Sequence, residues 1–393
     1  MFSDASFWAT LLVAAAVCQL LPPSRQRERA AVLALASVVV LWSVVGVSWI
    51  QLGVLAGCIA WLLAGAGRIA GSRHSRPVRA SLVLCAPMLL LWIASKQLAA
   101  ARSPEARILI FLGVSYVMIK AYTLAKDVAD GRIARVDPVV ASAYFLFFPT
   151  YVAGPMHYYG EFDATLREPD RLSGEALLDV VFRFLLGMLK ARIVAPLLKP
   201  MSLGALTDAA VLPAGTLAFA SLIFSLQLLL DFSGYSDMAI ATARLLGVRT
   251  PENFAWPYAA ASIREFWQRW HITFSRVLTG YVFIPLTRAL QKPLAGRRAA
   301  IAGGGYFVTF LLCGYWHGAA PNFLAWGLYH AAGLFAYDRY RARRAGSPRS
   351  AAVRATAGTR VARAIAVAVT FIFVSLGWIF FALPLGHLAR IVP

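Results

Sequence analysis

Apolar runs separated by short polar loops make up most of the chain. Such runs lie near residues 6–22, 30–47, 48–67, 80–95, 108–125, 139–154, 176–198, 213–230, 233–247, 301–315, 322–337 and 364–383. Several are shorter than the ~20 residues that a helix needs to cross a bilayer. The pattern predicts an all-α polytopic membrane protein with about ten or eleven transmembrane helices plus re-entrant or interfacial helices. No soluble segment or repeat interrupts it, so we predict a single membrane-embedded domain over residues 1–393.

The charge distribution predicts the sidedness of the loops. Hydrophobic residues make up 60% of the chain, and most of the net charge of +20 lies in short loops. Short basic loops stay in the cytoplasm beside anionic lipid, which assigns 24–29, 71–79 and 338–363 to that side. Asp4 precedes the first run and basic residues follow it, so we predict an uncleaved first span with its N-terminus outside. Membrane lipids are expected partners; nucleic acid is not, since no basic helix or aromatic–basic module accompanies the charge.

The densest polar stretch is "ASIREFWQRWHITFSRVLTGYVFIPL", residues 261–286. On one helix, Arg264, Gln268, His271 and Ser275 would form a polar stripe, with Trp and other apolar residues on another. Two interpretations stay open. The first is an interfacial helix with Arg and Trp at headgroup level. The second is a helix that lines a polar cavity, with His271 directed inward.

His317 lies within the apolar segment "LLCGYWHGAAPNFLAWGLYH". An ionisable residue in such a segment indicates function, although a neutral histidine bonded to a carbonyl is the structural alternative. The arms 301–315 and 322–337 each give about 23 Å of helix, short of the ~30 Å hydrocarbon core. The turn between them is then expected inside the membrane, where irregular backbone needs burial in protein or a water-filled cavity. We therefore expect His317 at a cavity wall.

Two further stretches favour structural interpretations. In "LDFSGYSDMAI", Asp231 and Asp237 flank a Ser-Gly-Tyr-Ser break. Capping of a helix start, or pairing with an arginine such as Arg244 or Arg264, is favoured over a proton path. The stretch "FFPTYVAGPMHYYGEF", residues 147–162, is typical of a membrane-exit turn with an aromatic belt.

Several motifs in order resemble the membrane-bound O-acyltransferase family. They are "LDFSGYSDMAI", "RTPENFAWPYAAASIREFWQRWHITFSR", "YVFIPL" and "GYWHGAAPNFLAWGLYHAAG". The resemblance covers about residues 108–383 and is closest to the bacterial branch of alginate O-acetylase and the D-alanyl transfer protein of teichoic-acid modification. The end of the chain at Pro393 resembles the D-alanyl type, and the "DFSGYSDMAI…PENF" wording resembles the acetylase. The family resemblance implies a ring of helices around a tunnel in a bacterial inner membrane.

The resemblance also implies the candidate site. His317 of "WHG" corresponds to the family's catalytic histidine, and His271 of "RWHIT" to a second polar residue upstream. A histidine suits a general base, because its ordinary pKa lies near ~6.5. We expect His271, or a donor near it such as Gln268 or Arg264, to position the acyl group or stabilise the oxyanion. Further contacts to substrate are expected from Trp267, Trp316 and Asn322. No tightly bound cofactor and no metal are expected. The donor thioester, acetyl-CoA or an acylated carrier protein, would enter from the cytoplasm and the envelope-polymer hydroxyl from outside, with an extracytoplasmic acyltransferase as a further partner.

Two other classes remain alternatives to an O-acyltransferase. Membrane acids and histidines also suit a proton-coupled transporter, although the chain shows no evident inverted repeat. A scaffold of a polymer-export complex would not need His317.

The loop 338–363 gives the first test of topology. A cysteine at Ser347 should react with a membrane-impermeant thiol reagent only after the cells are opened, because its arginines hold the loop at the cytoplasmic face. The unsubstituted protein, with its own four cysteines, is the labelling control. Labelling of Ser347→Cys in intact cells would invert the topology.

Overall fold

The computed structural model describes residues 4–70, 76–100, 113–206, 213–345 and 360–391. Within these ranges the secondary structure is helical, without a strand. This confirms the predicted all-α class. Part of the basic loop, with Ser347, Arg349 and Arg354, lies outside the described residues.

The described chain forms two compact units. The first comprises residues 1–188 and 235–251, and the second comprises 189–234 and 252–393. The prediction of one membrane-embedded domain over the whole chain stays a prediction.

Helices α1 to α9 belong to the first unit. Their bounds are Ala5–Leu20 (α1), Gln26–Ser43 (α2), Trp49–Ile69 (α3), Pro77–Leu84 (α4), Ala86–Ala100 (α5), Val114–Ala129 (α6), Pro138–Leu146 (α7), Tyr159–Arg167 (α8) and Gly174–Met188 (α9). A π-helical segment, Leu189–Val194, then leads into the second unit.

The remaining helices are α10 to α18. Their bounds are Ala195–Leu198 (α10), Ala214–Leu245 (α11), Ile263–Arg269 (α12), Ile272–Val277 (α13), Ile284–Leu290 (α14), Arg298–His317 (α15), Pro321–Ala345 (α16), Arg360–Ala382 (α17) and Leu385–Ile391 (α18). The chain passes from the second unit to the first within α11, between Gly234 and Tyr235. Helices α10 and α12 to α18 belong to the second unit.

Within the described ranges, four helices are long and apolar enough to cross a membrane: α3, α11, α15 and α17. Helices α4 and α5 meet at 67° and make a fifth candidate if they count as one broken span. These helices agree with a multi-pass membrane protein. The larger count of ten or eleven spans stays a prediction.

The aromatic residues of 147–162 are buried rather than arranged as a belt. Phe147 and Phe162 are completely buried and pack edge-on against the buried imidazole of His157. The Nε2 atom of His157 lies 3.2 Å from the carbonyl oxygen of Arg249. The predicted exit-turn belt is therefore wrong, because these rings fill the interior of the first unit.

The predicted break at Ser-Gly-Tyr-Ser is absent, because α11 runs through it as one helix of 32 residues. A glycine in a helix costs only about 1 kcal/mol relative to alanine, which the surrounding turns offset. Asp237 pairs with Arg183 at 3.0 Å, whereas Arg244 pairs with Asp170 at 2.9 Å. The structural role that we favoured for Asp237 is thus supported, but its predicted partners are wrong.

The stretch 261–286 does not form one amphipathic helix. Helix α12 ends at Arg269, Trp270 is extended, and His271 has a left-handed backbone with φ of 43° before α13 begins. A π-helical segment, Leu278–Phe283, follows. The predicted polar stripe is wrong, because tertiary hydrogen bonds at His271 override the local periodicity.

The hairpin of α15 and α16 is longer than the apolar pattern predicts. Helix α15 has 20 residues and α16 has 25, so α15 alone extends ~30 Å at ~1.5 Å per residue. Polar residues at both outer ends continue the helices where hydropathy stops. The argument that short arms hold the turn inside the membrane therefore fails, and the position of His317 follows from its contacts instead.

Two glycines let the backbones of α15 and α16 approach each other closely. A Cβ atom on Gly314 would lie 2.3 Å from the carbonyl oxygen of Phe323, and one on Gly327 would lie 2.2 Å from that of Phe310. Each contact is with backbone, which has little freedom to move aside. The ring of Phe323 also lies where a side chain on Gly318 would be, at 2.4 Å.

Alanine at Gly327 should destabilise the protein. Overpacking against backbone costs about 1–3 kcal/mol, which outweighs the ~1 kcal/mol that alanine gains in a helix. The thermal melting temperature in detergent micelles should fall. The control is Gly57→Ala in α3, where a Cβ atom meets nothing within 4 Å. Equal melting of the two variants would contradict the close approach.

Candidate active site

His317 is the last residue of α15 and lies half-buried among aromatic rings. Its imidazole lies edge-on to Phe381 of α17 at 5.0 Å and to Trp326 of α16 at 5.2 Å between ring centroids. Trp316 lies 4.7 Å away. Three helices thus surround one titratable side chain with apolar surface.

His271 occupies the strained turn between α12 and α13. Its left-handed backbone costs roughly 1–2 kcal/mol for a residue with a Cβ atom. The side-chain oxygen of Asn253 lies 3.0 Å from Nδ1 of His271 and accepts hydrogen bonds from the hydroxyl and backbone N–H of Thr273. The backbone carbonyl of Asn253 also accepts from the N–H of Ile272 at 2.9 Å. Asn253 therefore stabilises the turn.

These bonds fix the tautomer of His271. A backbone N–H only donates, so the Asn253 atom that it contacts is the amide oxygen, and Nδ1 of His271 must carry the proton that is donated to it. In the neutral imidazole Nε2 then has a lone pair and accepts. Nε2 is buried and has no hydrogen-bond partner among the described residues.

The electrostatic surroundings keep His271 neutral. Burial lowers the pKa of His271 well below its ordinary value, and the nearby His317 lowers it further. A positive charge on one imidazole opposes a charge on the other. Burial and the nearby imidazole of His317 thus favour the neutral form of His271.

The two histidines share neighbours although they are 46 positions apart (317 − 271). Phe274 lies 5.0 Å from His271 and 6.5 Å from His317. Trp316 lies 6.5 Å from His271 and 4.5 Å from Phe274. Tertiary structure thus brings both imidazoles and Trp316 into one cluster.

The other predicted contact residues lie apart from this cluster. Arg264 bonds to Asp338 and Tyr306. Gln268 is exposed. Asn322 is buried and donates to the carbonyl of Phe381 at 3.3 Å. Asn322 is thus linked to His317 through Phe381, whose ring packs against that imidazole.

Trp267 belongs to a second layer of aromatic rings. It is buried 5.9 Å from Trp326 and 5.3 Å from His330. His330 is completely buried, 5.0 Å from Trp326, and neither of its ring nitrogens has a hydrogen-bond partner among the described residues. Trp326 therefore separates His330 from His317.

Sequence reasoning missed Asn253 and Trp326. Asn253 lies in the loop "PENFAW" directly after Glu252, and the sequence alone does not indicate that Asn253 is buried whereas Glu252 is exposed. Trp326 follows His317 by nine positions and carried no signal beyond its apolar character. No group of three or more His, Cys, Asp or Glu side chains suited to a metal ion occurs in the described ranges.

The comparison with known families defines the class of this protein. A family model described as "MBOAT, membrane-bound O-acyltransferase family" matches residues 28–377. The chain belongs to this family and is an O-acyltransferase.

Named relatives are 30% to 34% identical to this chain over the aligned residues. Teichoic acid D-alanyltransferase of Bacillus subtilis (strain 168) is 30% identical over 294 residues, 72% of each chain. Peptidoglycan O-acetyltransferase of Helicobacter pylori is 34% identical over 242 residues, 60% of this chain and 42% of the relative. "Probable alginate O-acetylase AlgI" of Azotobacter vinelandii is 31% identical over 281 residues, 70% of this chain and 51% of the relative. The matches thus span about half or less of these two acetylating relatives.

The depressed pKa of His271 predicts the pH dependence of stability. The unfolded chain binds a proton below pH ~6.5 and folded His271 does not, so this group lowers stability as pH falls below that value. Asparagine tolerates a left-handed backbone. His271→Asn should therefore reduce the loss of unfolding free energy between pH 7.5 and 5.5 by roughly 1 kcal/mol, which appears as a smaller fall in melting temperature. Burial, with a contribution from Lys120, lowers the pKa of His157 to about 3. The variant His157→Asn should therefore show the same smaller loss of stability at low pH. An unchanged slope for His271→Asn would mean that His271 protonates normally when folded.

Proposed function

We propose that this protein transfers an acyl group, acetyl or D-alanyl, from a thioester donor to hydroxyl groups of an envelope polymer, with His317 as general base. Family membership supports the reaction class. The relatives, which are named for action on teichoic acid, peptidoglycan and alginate, support the acceptor class.

The observation that carries this proposal is the cluster of two histidines in an apolar site. His317 is half-buried, so a substrate reaches it more readily than the buried His271. An aromatic surround excludes water, which strengthens electrostatic interactions and limits hydrolysis of the thioester. A neutral imidazole there is a competent base near neutral pH.

The reaction balances with His317 as the proton carrier. His317 takes the proton from the acceptor hydroxyl while the oxygen of that hydroxyl attacks the carbonyl carbon of the thioester. The tetrahedral intermediate collapses, the C–S bond breaks, and the leaving thiolate receives the proton from His317. One ester and one thiol result, and no covalent acyl-enzyme is required.

The geometry changes the role that we expected for His271. In the tautomer that Asn253 favours, Nε2 of His271 accepts a hydrogen bond and does not donate one to an oxyanion. Arg264 is paired with Asp338, and Gln268 is exposed. We therefore assign His271 to positioning: Asn253 holds its neutral imidazole, which packs on the same Phe274 ring as His317.

The wider setting follows the family resemblance. We propose a ring of about ten or eleven spans around a tunnel in a bacterial inner membrane. Acetyl-CoA or an acylated carrier protein would approach the basic cytoplasmic face, which suits anionic donors. The polymer, with an extracytoplasmic acyltransferase as a further partner, would approach from the other side.

His317→Ala tests the proposal in the cells that make this protein. In a strain that lacks the gene, wild type should restore alkali-labile acetate or D-alanine on envelope polymers, and His317→Ala should not. Loss of a general base lowers the rate by ~10²–10⁴-fold or more. The identity of the released acid reports which acyl group is transferred.

The matched control is His387→Ala. His387 is also buried, and its Nε2 lies 3.2 Å from the carbonyl oxygen of Leu206 rather than beside the cluster. The His387→Ala protein should restore esterification, provided that its membrane yield and melting temperature show that it folds. Normal esterification by a folded His317→Ala protein would remove His317 from the mechanism.

A further inference from the structure

A cleft of about 1190 Å³ lies in the second unit between the last turns of α16 and the first half of α17. Its lining includes Arg344 of α16 and both Arg360 and Arg363 of α17. No aspartate or glutamate lines it. The ends of two helices thus present three cations to one space.

Nearby acids do not neutralise these cations. None of the salt bridges among the described residues includes Arg344, Arg360 or Arg363. Asp338, six residues before Arg344, is paired with Arg264. The cleft therefore keeps a positive potential that suits an anion.

Arg344 is held in place by an aromatic neighbour. It donates to the hydroxyl of Tyr340, and its guanidinium lies 5.2 Å from the centre of that ring. Tyr337 and Tyr340 both line the cleft. Tyrosine suits the boundary between headgroups and hydrocarbon, because one end of its side chain is polar and the other apolar.

The rest of the cleft is apolar and opens to the side. Val361, Ile365 and Val369 lie four residues apart on one face of α17 and are 69%, 60% and 61% exposed. All three line the cleft, and α17 is apolar enough to span a membrane. Exposed aliphatic side chains on such a helix face lipid chains rather than water.

The length of the cleft matches one leaflet. Its lining on α17 extends from Arg360 to Phe373, which is roughly 20 Å of helix. One half of the ~30 Å hydrocarbon core is about 15 Å deep. A ligand that spans the cleft therefore has an anionic end at headgroup level and an apolar body as long as one leaflet.

We propose that this cleft binds an anionic phospholipid, with its phosphate on Arg344, Arg360 and Arg363 and an acyl chain along Val361, Ile365 and Val369. Basic recesses between transmembrane helices recognise anionic headgroups in this way. The ordered lipid joins the ends of α16 and α17 and stabilises the hairpin that holds His317.

A thioester donor fits this cleft less well. A donor must present its carbonyl carbon to His317, but neither His317 nor Trp316, Trp326 or Phe381 lines the cleft. The lipid site is thus separate in its residues from the candidate active site, and it does not rest on the proposed function.

Lipid-dependent melting of the purified full-length protein in detergent tests the site. Phosphatidylglycerol should raise the melting temperature of wild type more than phosphatidylcholine does. In Arg344→Gln/Arg360→Gln, half-maximal stabilisation should need roughly ten- to thirtyfold more phosphatidylglycerol, as two lost cation–headgroup attractions imply. The control is Arg341→Gln/Arg343→Gln, which removes the same charge from exposed α16 residues outside the cleft.

Other outcomes would overturn the proposal. Equal sensitivity of the two double variants would mean general attraction to a basic surface. Equal stabilisation of wild type by glycerol phosphate would identify a free-phosphate site. Acetyl-CoA is the alternative ligand: stabilisation by acetyl-CoA but not by phosphatidylglycerol, lost in Arg344→Gln/Arg360→Gln, would identify the cleft as a binding site for the acyl donor. An independent check is Ile365→Ser, which should weaken the response to phosphatidylglycerol and leave both arginines intact.

Discussion

Backbone contact between α15 and α16 is the constraint on which the candidate active site depends. Gly314 and Gly327 each leave room for a carbonyl of the opposite helix. The approach seats Trp326 of α16 edge-on to His317 at the end of α15. Phe381 of α17 then completes the surround. With side chains at the two glycines, the helices would separate and the imidazole would lose this dry environment.

A second, local constraint positions His271. Short polar residues in an apolar interior must satisfy their hydrogen bonds, and Asn253 does so by accepting from the Thr273 backbone and hydroxyl and from the His271 ring. The same bonds offset the left-handed backbone at His271. Strain at a residue of this kind is characteristic of functional sites. Here it turns a side chain toward a cluster that a continuous helix would not reach.

The charged residues of the second unit serve separate purposes. Arg264 is occupied by Asp338 and Tyr306, which link α12, α15 and α16. Arg344, Arg360 and Arg363 instead face an open cleft. His271, His317 and His330 are packed against aromatic rings. The basic composition thus combines one structural ion-pair network with a surface suited to anions at the membrane boundary.

Hydropathy and motifs in the sequence were sufficient for the all-α membrane class and for singling out His317, His271 and Trp316, which the structure brings into one cluster. Apolar runs report burial in lipid or protein whatever the tertiary arrangement. They misplaced helix ends, however, since α15 and α16 continue into polar residues and α11 passes through Gly234. Periodicity likewise put Arg264 and Gln268 beside His271, because it assumes an unbroken helix.

Only tertiary structure decided which polar atoms meet. Asn253 precedes His271 by 18 positions, Arg183 finds Asp237 across 54, and Trp326 reaches His317 through a glycine contact between helices. Such pairings depend on where whole elements pack and on which buried donor has no other acceptor. The local sequence pattern contains neither kind of information. The chemical class was therefore readable from motifs in the sequence, whereas the tautomer of His271 and the aromatic surround of His317 required the fold.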